Sequence, residues 1–309
     1  MTDIIDIADL DTIYLSYDEP QKDEFWAIIQ NMVPWAKRVD GVKGSDAAHK
    51  ACADISDTDR FVLIDGDNLP HEHFFNEQLK LDAAHNNVVF RWRAVNNING
   101  LMYGNGGMSC WTRDFVYNMK THENSDGNDK NNVEFCFYDN YWAMHNVYSV
   151  TYPDRTPFQA WRAGFREGVK MSLDQGTKID IEGFKQNVHK QNLNNLKIWC
   201  TIGRDNENGI WAMLGARMGV HMTMIQDWDH NNVQWFDSLK QLWDSFDFDT
   251  LMPESYIKDL GRELNQKLDL GITEFDSEQS KFFKQCLNAT HVQKNIMTTE
   301  KAFLHDRNL

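Results

Sequence analysis

The 309-residue sequence predicts an α/β fold followed by a mainly helical C-terminal region. Strand and helix patterns alternate as β-α-β-α-β through residues 12–65, which is typical of a doubly wound sheet. The run Phe61–Ile64 is continuously apolar, as in strands that helices cover on both faces. From Thr156 onward the patterns are helical. We place a boundary near residue 170, which gives parts 1–170 and 171–309, and we expect the second part to pack on the first.

The predicted elements follow from local patterns. Strand composition marks the first strand, and apolar residues at helical spacing mark the helix after it. Ser45 is the expected cap of the second helix. Later, four glycines precede a helix that starts near Thr112, and the loop 121–132 is polar. The other predictions are strands at 12–17, 36–42, 60–65, 86–96 and within 133–152, and helices at 18–33, 45–56 and 71–85.

Composition limits the classes of function. The net charge of −15 confines any nucleic-acid contact to one local face. The five cysteines are scattered and odd in number, which favours free thiols in a reducing compartment. The acidic start lacks the basic region of a signal peptide, and no run reaches the roughly 18 apolar residues of a membrane span. We therefore expect a soluble cytoplasmic protein without a membrane partner; its oligomeric state stays open.

The segment Asp65-Gly66-Asp67 ends the predicted buried strand. Asp and Gly are common in turns, so a plain turn is one interpretation. The other is a Mn²⁺ or Mg²⁺ site, because hard cations prefer carboxylate oxygens together with substrate phosphates. Ligands of doubly wound sheets lie at the carboxyl ends of the strands, where this segment is expected. A glycine between the carboxylates would let a phosphate approach.

Two segments resemble the GT-A glycosyltransferases. GVKGSDAAHKACADISDTDRFVLIDGDN resembles their helix and strand that end in the DxD motif, and NGLMYGNGGMSCWTRDF resembles their acceptor-side glycine segment. YLSYDEP, AHK.CA, DGDN, YGNGG and RAGFREGVKM resemble, more closely, the phage-encoded glycosyltransferases associated with TET/JBP-type oxygenases. This resemblance covers residues 12–172. It implies a GT-A, Rossmann-like domain that binds a nucleotide-diphosphate sugar.

The resemblance also implies roles for individual residues. Asp65 and Asp67 would hold Mn²⁺ or Mg²⁺ against the diphosphate of the donor, with Gly66 between them. An inverting enzyme also needs a carboxylate base. Asp139 is the prediction, with Glu134 and Asp114 as alternatives, and a retaining enzyme would not need it there. Ser16, Asp18, Glu19, Arg38 and Lys50 are the implied nucleotide-sugar contacts, and Gly106, Gly107 and Trp111 the implied acceptor contacts.

A basic stripe follows from helical spacing. Arg162, Arg166 and Lys170 are four residues apart and so share one face of a helix. They would contact phosphates of the acceptor or the donor, and we expect an acceptor role for Arg162 and Arg166. The plain alternative is a solvated or ion-paired surface. Trp92, Trp111 and Trp161 are candidates for stacking on a base or a sugar, or else are core residues.

The resemblance implies transfer of a sugar onto a hydroxymethyl-pyrimidine in phage DNA, in the host cytoplasm if the protein is phage-encoded. A GT-A transferase that acts on a glycan, lipid or protein hydroxyl is the first alternative. A non-catalytic nucleotide-binding protein is the second. His145 and His221 are candidates for a third metal ligand, although each is more often structural. The sequence leaves the sugar, the nucleotide and the stereochemistry open.

Overall fold

The structure is a computed structural model that describes residues 3–124, 138–248 and 253–295. Its centre is a seven-stranded mixed sheet in the order β3-β2-β4-β8-β7-β9-β5, and β1 and β6 form a separate antiparallel pair. The described strands are β1 (Asp3–Asp6), β2 (Asp11–Ser16), β3 (Lys37–Asp40), β4 (Arg60–Asp65), β5 (Asn68–Pro70), β6 (Gln78–Leu81), β7 (Val89–Asn96), β8 (Met102–Thr112) and β9 (Tyr141–Thr151).

Strand direction decides which residues meet at each edge of the sheet. Strand β2 pairs in parallel with β3 and β4, and β7 pairs in parallel with β9. Strand β8 runs antiparallel to β4 and β7 between them. The C-terminal ends of β2, β3, β4, β7 and β9 therefore share one edge, which we call the carboxyl edge.

Helices cover the sheet and build the C-terminal region. The first part, α1 to α3, follows the predicted order, and β4 is buried from Arg60 to Ile64 between helix-covered faces. The described helices are α1 (Lys22–Met32), α2 (Ser45–Ile55), α3 (Arg113–Asn118), α4 (Pro157–Met171), α5 (Phe184–Asn187), α6 (Lys190–Thr201), α7 (Gly209–Met224), α8 (Phe236–Asp244) and two further helices, Pro253–Leu268 and Ser277–Asn295.

Two local predictions are wrong. The helix predicted for 71–85 is a 3-10 turn over Glu72–Asn76, the strand β6 and a second 3-10 turn over Ala83–His85. Leu79 and Leu81 alternate with exposed residues, because β6 pairs with β1 over the core. Ser45 does not cap α2. The carboxylate of Glu123, far away in sequence, accepts from the N–H groups of Ser45 (2.9 Å) and Asp46 (3.1 Å) instead.

Helices α4 and α7 pack backbone to backbone through glycines. A Cβ atom at Gly164 would lie 1.9 Å from the carbonyl oxygen of Ala212, and one at Gly168 would lie 2.3 Å from that of Ala216. From the α7 side, a Cβ atom at Gly215 would lie 2.1 Å from the carbonyl oxygen of Trp161 in α4. Small residues let two helix backbones approach closely. The segments AWRAGFREGV of α4 and GARMGVHM of α7 therefore supply the two glycine faces of one contact.

Helix contacts cross the predicted boundary near residue 170. Helix α4 ends there, but its glycine face belongs to the packing with α7. Asp154, just before α4, is buried and accepts hydrogen bonds from Asn97 (2.7 Å) and Asn206 (2.5 Å), so it joins the sheet to the loop before α7. Among the described residues, no helix is long and apolar enough to cross a membrane.

Candidate functional site

Three carboxyl groups come together at the carboxyl edge. Asp65 ends the buried strand β4, and Asp67 follows after the turn at Gly66. Glu19, after β2, packs against that turn, since a Cβ at Gly66 would lie 2.5 Å from Glu19 Oε2. The Tyr14 hydroxyl donates to the Gly66 carbonyl (2.9 Å) and holds the turn on the sheet. The missing side chain of Gly66 thus leaves room for the Glu19 carboxylate.

The three carboxyl groups resist ionisation together. Burial, and then the negative charges of Asp67 and Glu19, raise the pKa of Asp65 well above its ordinary value. Burial also raises the pKa of Asp67, although hydrogen bonds from Asn68 and Thr151 and the positive charge of Arg162 oppose this rise. Burial raises the pKa of Glu19 as well. Such a cluster is stabilised by a cation that balances the negative charge.

The donor set fits a hard divalent cation. Asp65 and Asp67 offer carboxylate oxygens, which Mg²⁺ and Mn²⁺ prefer, and burial is the main cause that raises the pKa of both carboxyl groups. Over the described ranges, no group of three or more His, Cys, Asp or Glu residues forms a ready ligand set. One or two carboxylates completed by water and phosphate oxygens are, however, the usual ligands of Mg²⁺. The residues present therefore fit an ion that a diphosphate helps to hold.

Neither histidine candidate stands free to add a third ligand. His145, in β9, contacts Arg93 through Nδ1 at 3.0 Å. His221, in α7, contacts Glu263 of the helix Pro253–Leu268 through Nε2 at 3.0 Å. Both rings therefore take part in local side-chain pairs.

A polar network lies beside the carboxyl groups, at the ends of β2 and β3. The Ser16 hydroxyl donates to Asp40 (2.8 Å) and accepts from Arg38 Nε (3.1 Å). The Arg38 guanidinium lies over the rings of Tyr14 (5.7 Å) and Trp26 (6.0 Å). The structure thus brings Ser16 and Arg38 together, and it adds Asp40, which sequence reasoning missed. Its signal was an Asp-Gly pair at a strand end, as at Asp65-Gly66.

Three further predicted nucleotide-sugar contacts, Asp18, Glu19 and Lys50, differ in their surroundings. Asp18 is exposed beside Glu19, while Glu19 accepts from the Tyr17 N–H at 2.8 Å. Lys50 lies within α2 and pairs with Asp46 at 2.7 Å, one helical turn earlier. The structure therefore gives Lys50 a local ion pair, which agrees with the plain surface alternative.

The glycine segment forms part of a strand and not a loop. Gly106 and Gly107 lie in β8. A Cβ at Gly107 would lie 2.1 Å from Nδ2 of Asn68, and this Nδ2 donates to Asp67 Oδ1 at 2.7 Å. Gly107 therefore makes room for the asparagine that holds Asp67.

The tryptophans are core residues. Trp111 is 1% exposed, stacks on Tyr141 and donates from Nε1 to Ser109 Oγ (2.7 Å). Trp92 and Trp161 are buried as well. The predicted acceptor contact at Trp111 is wrong, because its side chain points into the core on the sheet face covered by α2 and α3.

The predicted base lies at the opposite edge of the sheet. Thr151, at the end of β9, pairs with Asn68 beside Asp67. Asp139 precedes the start of this eleven-residue strand, roughly 30 Å away at strand spacing. Asp114, in α3, also lies at that opposite edge, since β8 runs antiparallel to β4. Neither can serve as a base at Asp65, and Glu134 lies outside the described residues.

The basic stripe divides between two environments. Helix α4 begins shortly after Tyr152, whose N–H donates to the Asp67 carbonyl at 2.7 Å. Arg162, early in α4, acts electrostatically on Asp67. Arg166, one turn further, lies over the Phe236 ring at 5.3 Å. Arg162 therefore lies near the carboxyl groups, and the acceptor role expected for Arg162 and Arg166 stays a prediction.

Comparison with known proteins adds little. No protein-family model matches the chain, and no curated protein matches it. A solved structure described as a glycosyltransferase involved in the glycosylation of the major capsid of PBCV-1 is similar, with 12% identity and a TM-score of 0.23. The match covers 34% of this chain and 61% of that chain.

Proposed function

We propose that the protein is a metal-dependent glycosyltransferase that takes a sugar from a nucleotide-diphosphate donor. The observation that carries this proposal is the group formed by Asp65, Asp67 and Glu19 at the carboxyl edge, whose pKa values are raised. Doubly wound sheets bind ligands at that edge. The neighbouring network of Ser16, Arg38 and Asp40 supplies hydrogen-bonding groups for a ribose or a base.

Each part of the edge has a task in this proposal. Asp65 and Asp67 would hold the metal, which when bound would supply positive charge that stabilises the diphosphate leaving group. Asn68 donates to Asp67 and fixes its orientation. Arg162 adds a permanent positive charge beside Asp67. Whether the sugar inverts or is retained stays open, because neither described candidate for the base lies at this edge.

Nucleotide release from a panel of nucleotide-diphosphate sugars, measured with Mn²⁺ and with EDTA, tests this function. Asp65→Asn and Asp67→Asn should each reduce turnover at least roughly a hundredfold, because metal stabilisation is worth several kcal/mol. Asp57→Asn, an exposed carboxylate before β4 at the opposite edge, is the matched control. Full turnover in EDTA or in either site variant would refute the proposal.

We further propose DNA as the acceptor. Cations and aromatic rings share one surface: Arg166 lies over Phe236, and Lys240 lies over Phe158. Trp235 beside them is 45% exposed. Positive charge combined with aromatic rings suits single-stranded or extruded bases. A glycan, lipid or protein acceptor would not require this concentration of cations in a chain of net charge −15.

One preparation of Arg166→Glu separates these alternatives. We expect weaker binding of hydroxymethylated DNA, with unchanged donor affinity and unchanged melting temperature. Unchanged DNA binding by a folded variant would remove this surface from the acceptor site. A lower melting temperature with an unchanged salt dependence would show that Arg166 acts in packing only.

A further inference from the structure

The start of α8 contacts both α4 and the loop after β3, near the proposed donor site. Arg162 projects from α4, and its guanidinium carbon lies 4.5 Å from the centre of the Phe236 ring and 5.5 Å from that of Phe158. Asp237, next to Phe236, pairs with Lys43 at 3.3 Å. Lys43 belongs to the loop between β3 and α2, on the other side of the edge. Phe236 and Asp237 therefore connect α4 to the nucleotide side.

These contacts form a ring around the carboxyl edge. Tyr152 bonds to Asp67 and leads into α4 within five residues, and Arg162 lies about one and a half turns into that helix. Phe236 covers Arg162, and Asp237 reaches Lys43. Lys43 follows β3, whose last residue, Asp40, bonds to Ser16 at the end of β2. The contacts therefore link residues on both sides of Asp67 along the carboxyl edge.

Phe236 is poorly explained as a packing residue. Its side chain is 49% exposed, whereas Leu239, in the next turn of α8, is fully buried. Phe236 contacts cations, since the guanidinium groups of both Arg162 and Arg166 lie over its ring. A ring face attracts a guanidinium group and limits the orientations available to its long, flexible side chain. An arginine held in this way loses less conformational entropy when it binds an anion.

We propose that Arg162 binds the diphosphate of the donor and that Phe236 is the positioning residue that holds Arg162 toward it. This inference rests on the proposed function, because it assigns a diphosphate to the same edge. The positive guanidinium group of Arg162 complements the negative diphosphate, since a guanidinium group can bind two phosphate oxygens at once. Phe158 also lies near this guanidinium group, but it is half-buried and packs against Trp161 and Trp243 in the core. Phe236 is therefore the ring to test.

The test measures binding of inorganic pyrophosphate in the presence of Mn²⁺ by calorimetry, because every candidate donor contains this group. Arg162→Met should weaken binding about tenfold or more, as for a charge-assisted hydrogen bond. Phe236→Leu should weaken pyrophosphate binding about two- to fivefold. Phe236→Tyr keeps the ring face and should bind pyrophosphate as wild type does. Trp35→Leu, an aromatic residue of similar exposure that precedes β3 at the opposite edge, is the matched control and should bind as wild type.

The double variant decides whether Phe236 acts through Arg162. If it does, Phe236→Leu adds nothing in the Arg162→Met background. If Phe236→Leu lowers the affinity for pyrophosphate by the same factor in wild type and in Arg162→Met, Phe236 is not a positioning residue for Arg162. If wild type binds, Asp67→Asn does not, and Phe236→Leu binds as wild type, this inference fails while the proposed function stands. If wild type itself does not bind Mn²⁺ and pyrophosphate, both fail. Melting temperatures identify any variant that is misfolded.

Discussion

At the scale of single residues, Asp65 links stability to the proposed chemistry. Its carboxyl group ends a buried strand and faces two other acids, so its pKa is well above the ordinary value of 3.8. The folded protein therefore binds this proton more tightly than the unfolded chain does. Without metal, the free energy of unfolding falls as the pH rises from 3.8 through the raised pKa, and above that pKa the loss is complete.

From this linkage we predict opposite effects of Asp65→Asn with and without metal. In EDTA at neutral pH, the variant should melt higher than wild type, because it removes a buried charge that lacks a cation. With Mn²⁺ at a hundred times its dissociation constant, wild type should gain about 2.7 kcal/mol and the variant almost nothing. Thermal melting across pH 4–8 with and without Mn²⁺ measures both effects. Lower stability of the variant in EDTA would contradict the charge argument.

Gly107 allows a second prediction at this scale. An alanine there would displace Asn68, whose side chain is buried between Asp67 and Ser149. We expect Gly107→Ala to weaken Mn²⁺ binding roughly tenfold, as for the loss of a group that orients a metal ligand. Asn68→Ala should have the same effect, and the double variant should be no worse than Asn68→Ala alone. Additive losses would show that Gly107 acts by another route.

The sequence predicted those residues whose surroundings are local. Asp65 and Asp67 were recognisable because the strand before them is continuously apolar, whereas Ser16 and Arg38 were named because the family resemblance implies them. Asp139 was misplaced because position along the chain does not reveal at which edge of a sheet a strand begins. The parallel pairing of β7 with β9 decides that point, and it is a long-range property. The burial of Trp111 likewise depends on packing from α2 and α3.

At the scale of elements, the glycine contact fixes α4 against α7. Elements were predicted where a single pattern dominated, as in α4, and failed at 71–85, where apolar residues suit both a helix and a strand. In the sequence, the interface between α4 and α7 was visible only as a weak similarity between AWRAGFREGV and GARMGVHM. Its meaning required the two helices to lie side by side, where each glycine meets a backbone carbonyl of the other helix.

We predict that Gly168→Ala destabilises the protein by about 1–3 kcal/mol, the usual cost of overpacking a tight contact. The new Cβ would meet the carbonyl of Ala216, which cannot move without its helix. Gly183→Ala is the matched control, because its Cβ would come within 3 Å only of the end of the Asn187 side chain. Chemical denaturation measures both changes. Equal stabilities of the two variants would show that the helices can separate at little cost.

At the scale of the whole molecule, charge is divided unevenly. The chain carries a net charge of −15, yet α4 and α8 present Arg166 and Lys240 over the rings of Phe236 and Phe158. Such a distribution directs a polyanion to one face and repels it elsewhere. The division follows the fold, since α8 is brought beside α4 by packing within the helical region.

We therefore predict that affinity for hydroxymethylated DNA falls steeply with salt, with a logarithmic slope of about −0.9 for each phosphate contact. Arg166→Glu should flatten this slope by about one contact. Filter binding between 50 and 200 mM salt, on DNA with and without hydroxymethyl groups, provides the measurement. A small glycan acceptor whose turnover does not vary with salt would instead favour the alternative substrate class.

The backbone contact between α4 and α7 also bears on how this chain can be divided. The turn Asp174–Thr177 lies between the two helices, and Asp174 and Gln175 in it are exposed. A break there would leave α4 on one fragment and α7 on the other, each with a glycine face shaped to the opposite backbone. The two fragments would then recognise each other through this contact together with the hydrogen bond from Asn206 to Asp154. Expressed together, they should reassemble into the folded protein, and the proposed activity would then report on their association.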